Sequence, residues 1–491
     1  MTATGPAGPK SGGYKDIRTY IDDLEAAGML RRVAAEVDLK HEIGAICARA
    51  LERGGPAILF ENVKGYPGLP LAANLLTTDE RVAFSLGVPP DHDRIYEKIL
   101  VGLENRLASV ERPTGPCKDV VLTGDKVDVY AFPTPWWHEG DAGQYIGTTH
   151  AFITADPDTG VHNMGSYRVM IHDKDTLSVQ IRGSHPVGEQ PNPGDRSGAR
   201  ADGLEHILKN EIKGLPTPCA IALSMDPLLT MAAGSPVPAD AEGMSEYEAA
   251  AAWRGSPTEL VKCETNDLRV PANAEIIIEG EVVPNVRVPE GPHGESNGFY
   301  VAHQETFLIK VTCITHRAQP VSYGLYCWMV EDYPRDLFRG ASFQRRLIEH
   351  TGMTNIKRVQ VAKVGRNGMV IISAKISSAD EPRRIMEGAW AVAGERWVIV
   401  VDDDCDVRSW TDVLWRVTYF AQPGKHIVQG PEKPVRGHAT ENPDDPFEPP
   451  SCGLGIDATM HFKGYRFNQV NRVSSELAAR VAARWGEYGL P

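Results

Sequence analysis

Ile17, Tyr20, Ile21 and Leu24 recur at helical spacing just after Asp16, with Met29 and Leu30 continuing the apolar face past a stop at Gly28. An extended piece follows at 31–37. Next come a helix over 43–53, stopped by Gly54-Gly55-Pro56, and a short buried strand at Ala57–Phe60. With a further helix near 95–107, this order predicts an α/β N-terminal domain over residues 14–115, behind a Gly/Pro/Ser-rich start at 1–13 expected to be disordered. From residue 116 the texture changes to short β-branched runs at 120–122, 148–154, 167–171, 176–181, 219–223, 275–278 and 306–314. Such runs with turn residues between them predict a β-barrel or sandwich-like domain over 116–320, with a loop at 183–203 and a helix at 244–253. Beyond 320, helices at 343–351 and 381–390 flank strands at 369–374 and 397–401, and another helix spans 412–419. That predicts a C-terminal α/β domain over 321–470. The last segment, 471–491, carries an amphipathic helix at 474–485 with Leu477, Val481 and Trp485 in line, suited to docking on its own domain or on a neighbouring subunit.

Composition narrows the class. The 491 residues are 42% apolar and 24% charged, ordinary for a globular protein of two or three domains. A formal net charge of −14 argues against nucleic-acid or anionic-membrane partners, because both surfaces would repel it. Eight singly scattered cysteines with no C-x-x-C pair read as reduced thiols, and there is neither an apolar leader nor a run of about 18 apolar residues. The expected location is cytoplasmic.

The stretch Glu290-Gly-Pro-His-Gly-Glu-Ser-Asn-Gly298 reads as a stiff bend carrying two carboxylates five residues apart. Two carboxyl groups brought together in a partly dry pocket cannot both ionise easily, and a carboxyl that keeps its proton near neutral pH can act as a general acid. The plain alternative is a surface turn with two solvated glutamates. Asn163, at the start of one expected strand, and His185, after the next, would share a rim if the 173–176 turn joins those strands. With an added carboxylate they would form a mixed N/O site suited to Mn²⁺ or Mg²⁺. Trp136 and Trp137 could line a pocket or simply pack, and Asp402-Asp403-Asp404 reads as a solvated loop or helix cap.

Taken together, Asn163-x-Gly-x-Tyr-Arg168, His185, Lys262-Cys-Glu-Thr-Asn-Asp-Leu-x-Val-Pro271, Ala274-Glu-Ile-Ile-Ile-Glu-Gly280, Glu290-Gly-Pro-His-Gly-Glu295 and Gly453-Leu-Gly-Ile-Asp-Ala-Thr459 resemble the UbiD-like decarboxylases. The resemblance implies a central split β-barrel that binds flavin and a C-terminal α/β oligomerisation domain in a homodimer or higher homo-oligomer. It also implies a reversible, non-oxidative carboxy-lyase acting on an unsaturated or aromatic acid and releasing CO₂. Its cofactors would be prenylated FMN from a separate flavin prenyltransferase, Mn²⁺ and K⁺. Matched position by position, Asn163, His185 and Glu246 would be metal ligands, and Arg168, Glu290 and Glu295 the catalytic network. Thr148, Ser166, Tyr167 and Ser184 would join Arg168 and the metal ligands around the cofactor.

Loss of CO₂ leaves an electron pair on carbon that needs a sink, which the resemblance assigns to the cofactor. Arg168 would then order the glutamates and receive a carboxylate, Glu290 complete the ion-paired relay, and Glu295 return the proton. His293, Ser296, Asn297, Cys327, Trp328 and His461 are the candidate substrate pocket. Their polarity favours a pyrrole-, furan- or indole-type acid, or a hydroxybenzoic acid, over cinnamic acid. Two rival classes are a two-carboxylate hydrolase, which leaves Asn163, Arg168 and His185 idle, and a redox flavoprotein.

Overall fold

The structure is a computed structural model that describes residues 13–181, 202–235, 237, 243–296, 298–301, 304–326, 333–362, 368–393, 397–433, 451–460, 471 and 473–488. The helix Ile17–Ala26 starts where Asp16 accepts the Thr19 N–H at 2.8 Å, and its buried face of Ile17, Tyr20, Ile21 and Leu24 joins the largest apolar core. Beside it lies a four-stranded sheet in the order Leu30–Val33, Ala57–Phe60, Leu71–Ala73, Ser322–Gly324. Its last strand comes from the far side of the chain, so the central sheet is an excursion between Ala73 and Ser322.

The central sheet has nine strands: β1 (Val120–Thr123), β2 (Tyr145–Gly147), β3 (Ala151–Ala155), β4 (His162–Gly165), β5 (Val169–Asp173), β6 (Thr176–Val179), β7 (Thr217–Leu223), β8 (Ile276–Glu290) and β9 (Gln304–His316). They run in the order β2-β5-β6-β9-β8-β7-β3-β4, with β1 also paired to β9, so the described sheet is an open half-barrel. One face buries Phe152, Val169, Leu177, Ile221, Ile278 and Phe307 in a core of its own. The α/β multidomain class with a central barrel-like sheet is therefore the one expected from the alternation of textures.

A five-stranded sheet forms the C-terminal part, ordered Ile356–Val361, Met369–Ala374, Trp397–Asp402, Ser451–Asp457, Ile427–Lys433. The helices Tyr333–Thr351 and Glu381–Ala393 contribute Phe343, Leu347, Ile385 and Trp390 to the core on this sheet. In the terminal helix Ser475–Ala483 and just beyond it, Leu477 and Trp485 remain 39% and 46% exposed, so the single chain leaves that apolar side uncovered. Among the described residues no helix is long and apolar enough to cross a membrane.

Several expectations need correction. The loop expected at 183–203 gives way by Asp202 to a helix, Asp202–Ile212, whose Leu204 and Ile207 are buried against the central core. The short strand at 275–278 is the start of the 15-residue β8, which reaches Glu290 itself. Pro284 and Asn285 (φ 58°) sit in an irregularity between Val282 and Arg287, so the ladder to β9 resumes beyond them. The acid bend is correspondingly less irregular than expected, because His293–Gly294 also pair with Tyr300–Val301. Asp402 is not solvated: it is 2% exposed, accepts the Met460 N–H at 2.7 Å and faces Arg416 at 3.4 Å. The helices Asp79–Leu86 and Pro227–Ala233 were not expected.

Candidate active site

Arg168 directly precedes β5, and Glu290 ends β8. In the sheet these strands are separated by β6 and β9, a backbone separation of roughly 14 Å if the sheet were flat, which its curl and two long side chains together close. The guanidinium meets Glu290 in two parallel bonds, Nε to Oε1 at 2.8 Å and Nη2 to Oε2 at 2.6 Å, and its remaining Nη1 donates to Glu295 Oε1 at 2.5 Å. One planar cation thus fixes both acids. Burial pulls the arginine pKa down, but the hydrogen bond and charge of Glu290 and the charge of Glu295 outweigh it, so the net shift is upward.

The two glutamates differ in surroundings. Glu290 is 1% exposed and accepts a third bond, from Tyr145 Oη at 2.7 Å, whereas the Glu295 side chain keeps 33% of its surface. Burial and the neighbouring Glu290 push the Tyr145 phenol well up, so it serves as a donor. Sequence reasoning missed Tyr145. Its signal was slight, because β2 has three residues, but the pairing of Tyr145 with Met170 brings it alongside Arg168.

A second cluster forms on the other side of the Asn163–Arg168 segment. The helix Glu246–Arg254 begins with a capping box, and Ser245 Oγ donates to the His162 carbonyl at 3.1 Å, docking the helix start on β4. Glu246, 5% exposed, accordingly accepts the Met164 N–H at 3.2 Å beside Asn163. Burial raises the Glu246 pKa to about 8. Asn163 is 6% exposed, and Gly203 lies so close that a Cβ there would sit 3.1 Å from its Nδ2. The Ser166 N–H is held by the Ala233 carbonyl at 2.8 Å, and Tyr167 packs on Phe152. Asn163, Ser166, Tyr167 and Glu246 are therefore brought together; Ser184 and His185 lie outside the described residues.

Where Tyr145 faces the N-terminal sheet there is a small recess of about 20 Å³ whose lining includes Trp137, Tyr145, Thr148, Ser224, Tyr323 and Gly324. Thr148 Oγ1 accepts the Leu325 N–H at 3.0 Å, and a Cβ at Gly324 would sit 2.4 Å from the Trp137 ring, so glycine is required there. Trp137 Nε1 and Ser224 Oγ are buried in this lining without a partner. Nearby, His150 is buried, and burial lowers its pKa to about 3 despite a hydrogen bond to the Tyr167 backbone.

The substrate-pocket candidates fare unevenly. His293 is 2% exposed and stacks on Tyr145 with ring centroids 4.2 Å apart, which puts it behind the Arg–Glu network and not at a rim. Burial, aided by the Arg168 charge, lowers its pKa to about 4. Ser296 is 8% exposed, and Asn297, Cys327, Trp328 and His461 lie outside the described residues.

The chain matches three domains of one family along its length: the 3-octaprenyl-4-hydroxybenzoate carboxy-lyase N-terminal domain at residues 21–100, the Rift-related domain at 108–329 and the C-terminal domain at 341–458. It is 31% identical to the uncharacterized protein sll0936 of a Synechocystis strain, across 97% of this chain and 96% of that one. Among solved structures, it resembles the UbiD-class enzyme HmfF from Pelotomaculum thermopropionicum, solved in complex with FMN, at 28% identity and a TM-score of 0.80, covering 94% of this chain and 98% of HmfF. It also resembles the vanillic acid decarboxylase of Sedimentibacter hydroxybenzoicus in its open form, at 27% identity and a TM-score of 0.83, covering 97% of this chain and 100% of that one. The chain belongs to the UbiD family of carboxy-lyases.

Proposed function

We propose that this enzyme catalyses the reversible, non-oxidative decarboxylation of an aromatic or heteroaromatic acid with prenylated FMN, and that Glu295 is its proton donor. The observation that carries the reading is the single Arg168 guanidinium bonded to Glu290 through two nitrogens and to Glu295 through the third. When bound, prenylated FMN supplies the electron sink for the carbon that loses CO₂. Trp137, Thr148, Ser224 and Tyr323 would line its ring system, and the Asn163 amide oxygen beside the buried Glu246 carboxyl would offer oxygen ligands to a Mn²⁺. His185 would complete that metal site, and K⁺ is carried over with the family pattern.

Within the network, three donors already engage both oxygens of Glu290, while Glu295, the more open acid, is the one positioned to carry the mobile proton. Arg168 keeps Glu295 aimed at the reacting carbon and offers the positive charge that a substrate carboxylate would seek. A hydroxylated ring is favoured by the likeness to a vanillic acid decarboxylase. The exposed apolar side around Leu477 and Trp485 supports a homo-oligomer, and buried free thiols support a reducing, cytoplasmic setting.

The test is to co-produce the chain with a flavin prenyltransferase and compare kcat/KM on 4-hydroxybenzoate, pyrrole-2-carboxylate and cinnamate, with CO₂ release as the readout. Turnover best on a hydroxybenzoate or a heteroaromatic acid is expected. Cinnamate as the best substrate would overturn the substrate class, and no release from any acid by a cofactor-loaded sample would overturn the reaction.

A further inference from the structure

We propose that Asp141 is a positioning residue: its buried carboxylate clamps the segment that carries Glu290 and Glu295 and so sets both acids against Arg168. The proposal rests on the decarboxylase reading only for its kinetic consequence. Its structural content stands on the hydrogen bonds of residues 136–142, which none of the chemistry above employs.

The Asp141 side chain has no exposed surface, and both of its oxygens are used. Oδ1 accepts the Gly294 N–H at 2.8 Å, the residue directly before Glu295. Oδ2 accepts the His138 N–H at 3.0 Å and faces His138 Nδ1 at 3.2 Å. Burial would raise the pKa of this carboxyl, but these hydrogen bonds, with the charge of His293, hold it below the usual range, so it is a full acceptor on both sides. Two backbone contacts run beside it: the Ala142 N–H donates to the Pro292 carbonyl at 2.8 Å, and the Gly140 N–H to Tyr300 Oη at 3.0 Å. The His138 ring lies on Gly294, where a Cβ would come within 2.6 Å of it, so the two segments touch without room for a side chain.

The clamp is itself anchored. The Trp136 N–H donates to the Leu39 carbonyl at 3.0 Å, and the His41 N–H to the Trp136 carbonyl at 2.9 Å, tying this segment to the N-terminal part of the molecule. Because β8 stops at Glu290, the sheet ladder holds one acid and not the other. Glu295 stands five residues past that ladder, its own N–H held by the Phe299 carbonyl at 2.9 Å, and the bond from Gly294 to Asp141 ties the backbone directly before it to residues 138–142. An error of about 1 Å in the position of a proton donor costs on the order of 10²-fold in rate, so such a tether carries kinetic weight.

The experiment compares Asp141→Asn with the wild-type holoenzyme, and measures amide hydrogen exchange of the full chain with and without FMN. Asparagine keeps the shape but replaces one acceptor oxygen by a donor, so one of the two N–H tethers is lost. The expected result is a kcat about tenfold or more lower with KM within about twofold, and faster exchange at Gly294 and Glu295 while the β5–β6 hairpin is unchanged. Tyr300→Phe, at a half-exposed side chain, removes only the bond to Gly140; if Asp141→Asn does not fold, this variant gives the answer through faster exchange over 292–301. Unchanged exchange at both Gly294 and His138, or a loss of kcat/KM that lies wholly in KM, would overturn the proposal. Faster exchange at Gly294 in a chain that decarboxylates none of the acids offered would uphold the clamp and defeat the proposed reaction instead.

Discussion

Arg168 and Glu290 face each other in a bidentate pair, with bonds of 2.8 and 2.6 Å, at a place where 122 residues of chain separate them. The third nitrogen of the same guanidinium holds Glu295, so the acids are linked through the cation and not to each other. Removing the proton carrier while keeping its shape is the direct test. Glu295→Gln should fold, keep the cofactor and lose turnover by about 10²–10⁴-fold or more. Turnover within a few-fold of wild type would take Glu295 out of the role.

Tyr145 gives a subtler prediction. Tyr145→Phe leaves Glu290 Oε1 with Arg168 Nε alone and removes one charge-assisted bond of about 1.5–3 kcal/mol. If that bond matters fully in the transition state, kcat should fall by roughly 10–100-fold, with the flavin spectrum unchanged. Wild-type kcat in this variant would mean that the arginine alone holds Glu290.

If Asn163 and Glu246 hold Mn²⁺ as proposed, Glu246→Ala should strip the metal and weaken flavin retention, because the only buried carboxyl beside Asn163 among the described residues would be gone. Elemental analysis of the purified variant decides the matter, and a full complement of metal would show that Glu246 is not a ligand.

Two buried neutral histidines make a prediction about stability. His293 and His150 are lowered to about 4 and about 3, below the ordinary 6.5, so between those values and 6.5 the unfolded chain binds protons that the native chain does not. Stability is then full above pH 6.5 and lost as pH falls toward 4, each imidazole contributing at most ~1.4 kcal/mol per pH unit of slope. Urea unfolding at pH 5 and pH 7 should show the loss, and His150→Asn should flatten it. An equal slope in that variant would mean that His150 already carries a proton in the native protein.

Much of this architecture is legible in the residues, though unevenly. The helix at Ile17–Ala26 and the strand at Ala57–Phe60 announce themselves because apolar spacing and Gly/Pro punctuation coincide. The length of β8 does not, since Pro284 and Asn285 read as a break and only pairing on both sides carries the strand through them. Glu290 and Glu295 stand out as paired acids in one stretch, but nothing local points to Arg168, which reaches them from a strand three positions away in the sheet. Resemblance to a family supplied that partner. Tyr145 and Asp141 stayed silent because their roles are set by what lies across the fold, a phenol under a carboxylate and a carboxylate under a backbone amide.

The excursion of the central sheet between Ala73 and Ser322 also bears on when activity can appear. Every bond of the Arg168 network joins residues more than 120 positions apart, and the recess beside it closes only when Gly324 arrives next to Trp137. Contacts of such long sequence separation are slow to form, because chain entropy is spent before they reward it. On a ribosome, a nascent chain that ends before residue 324 carries Arg168, Glu290 and Glu295 but lacks the strand that closes the recess beside them. If the chain binds flavin as proposed, loading can begin only once residue 324 is in place, so a chain truncated before that point should retain no flavin however much is supplied.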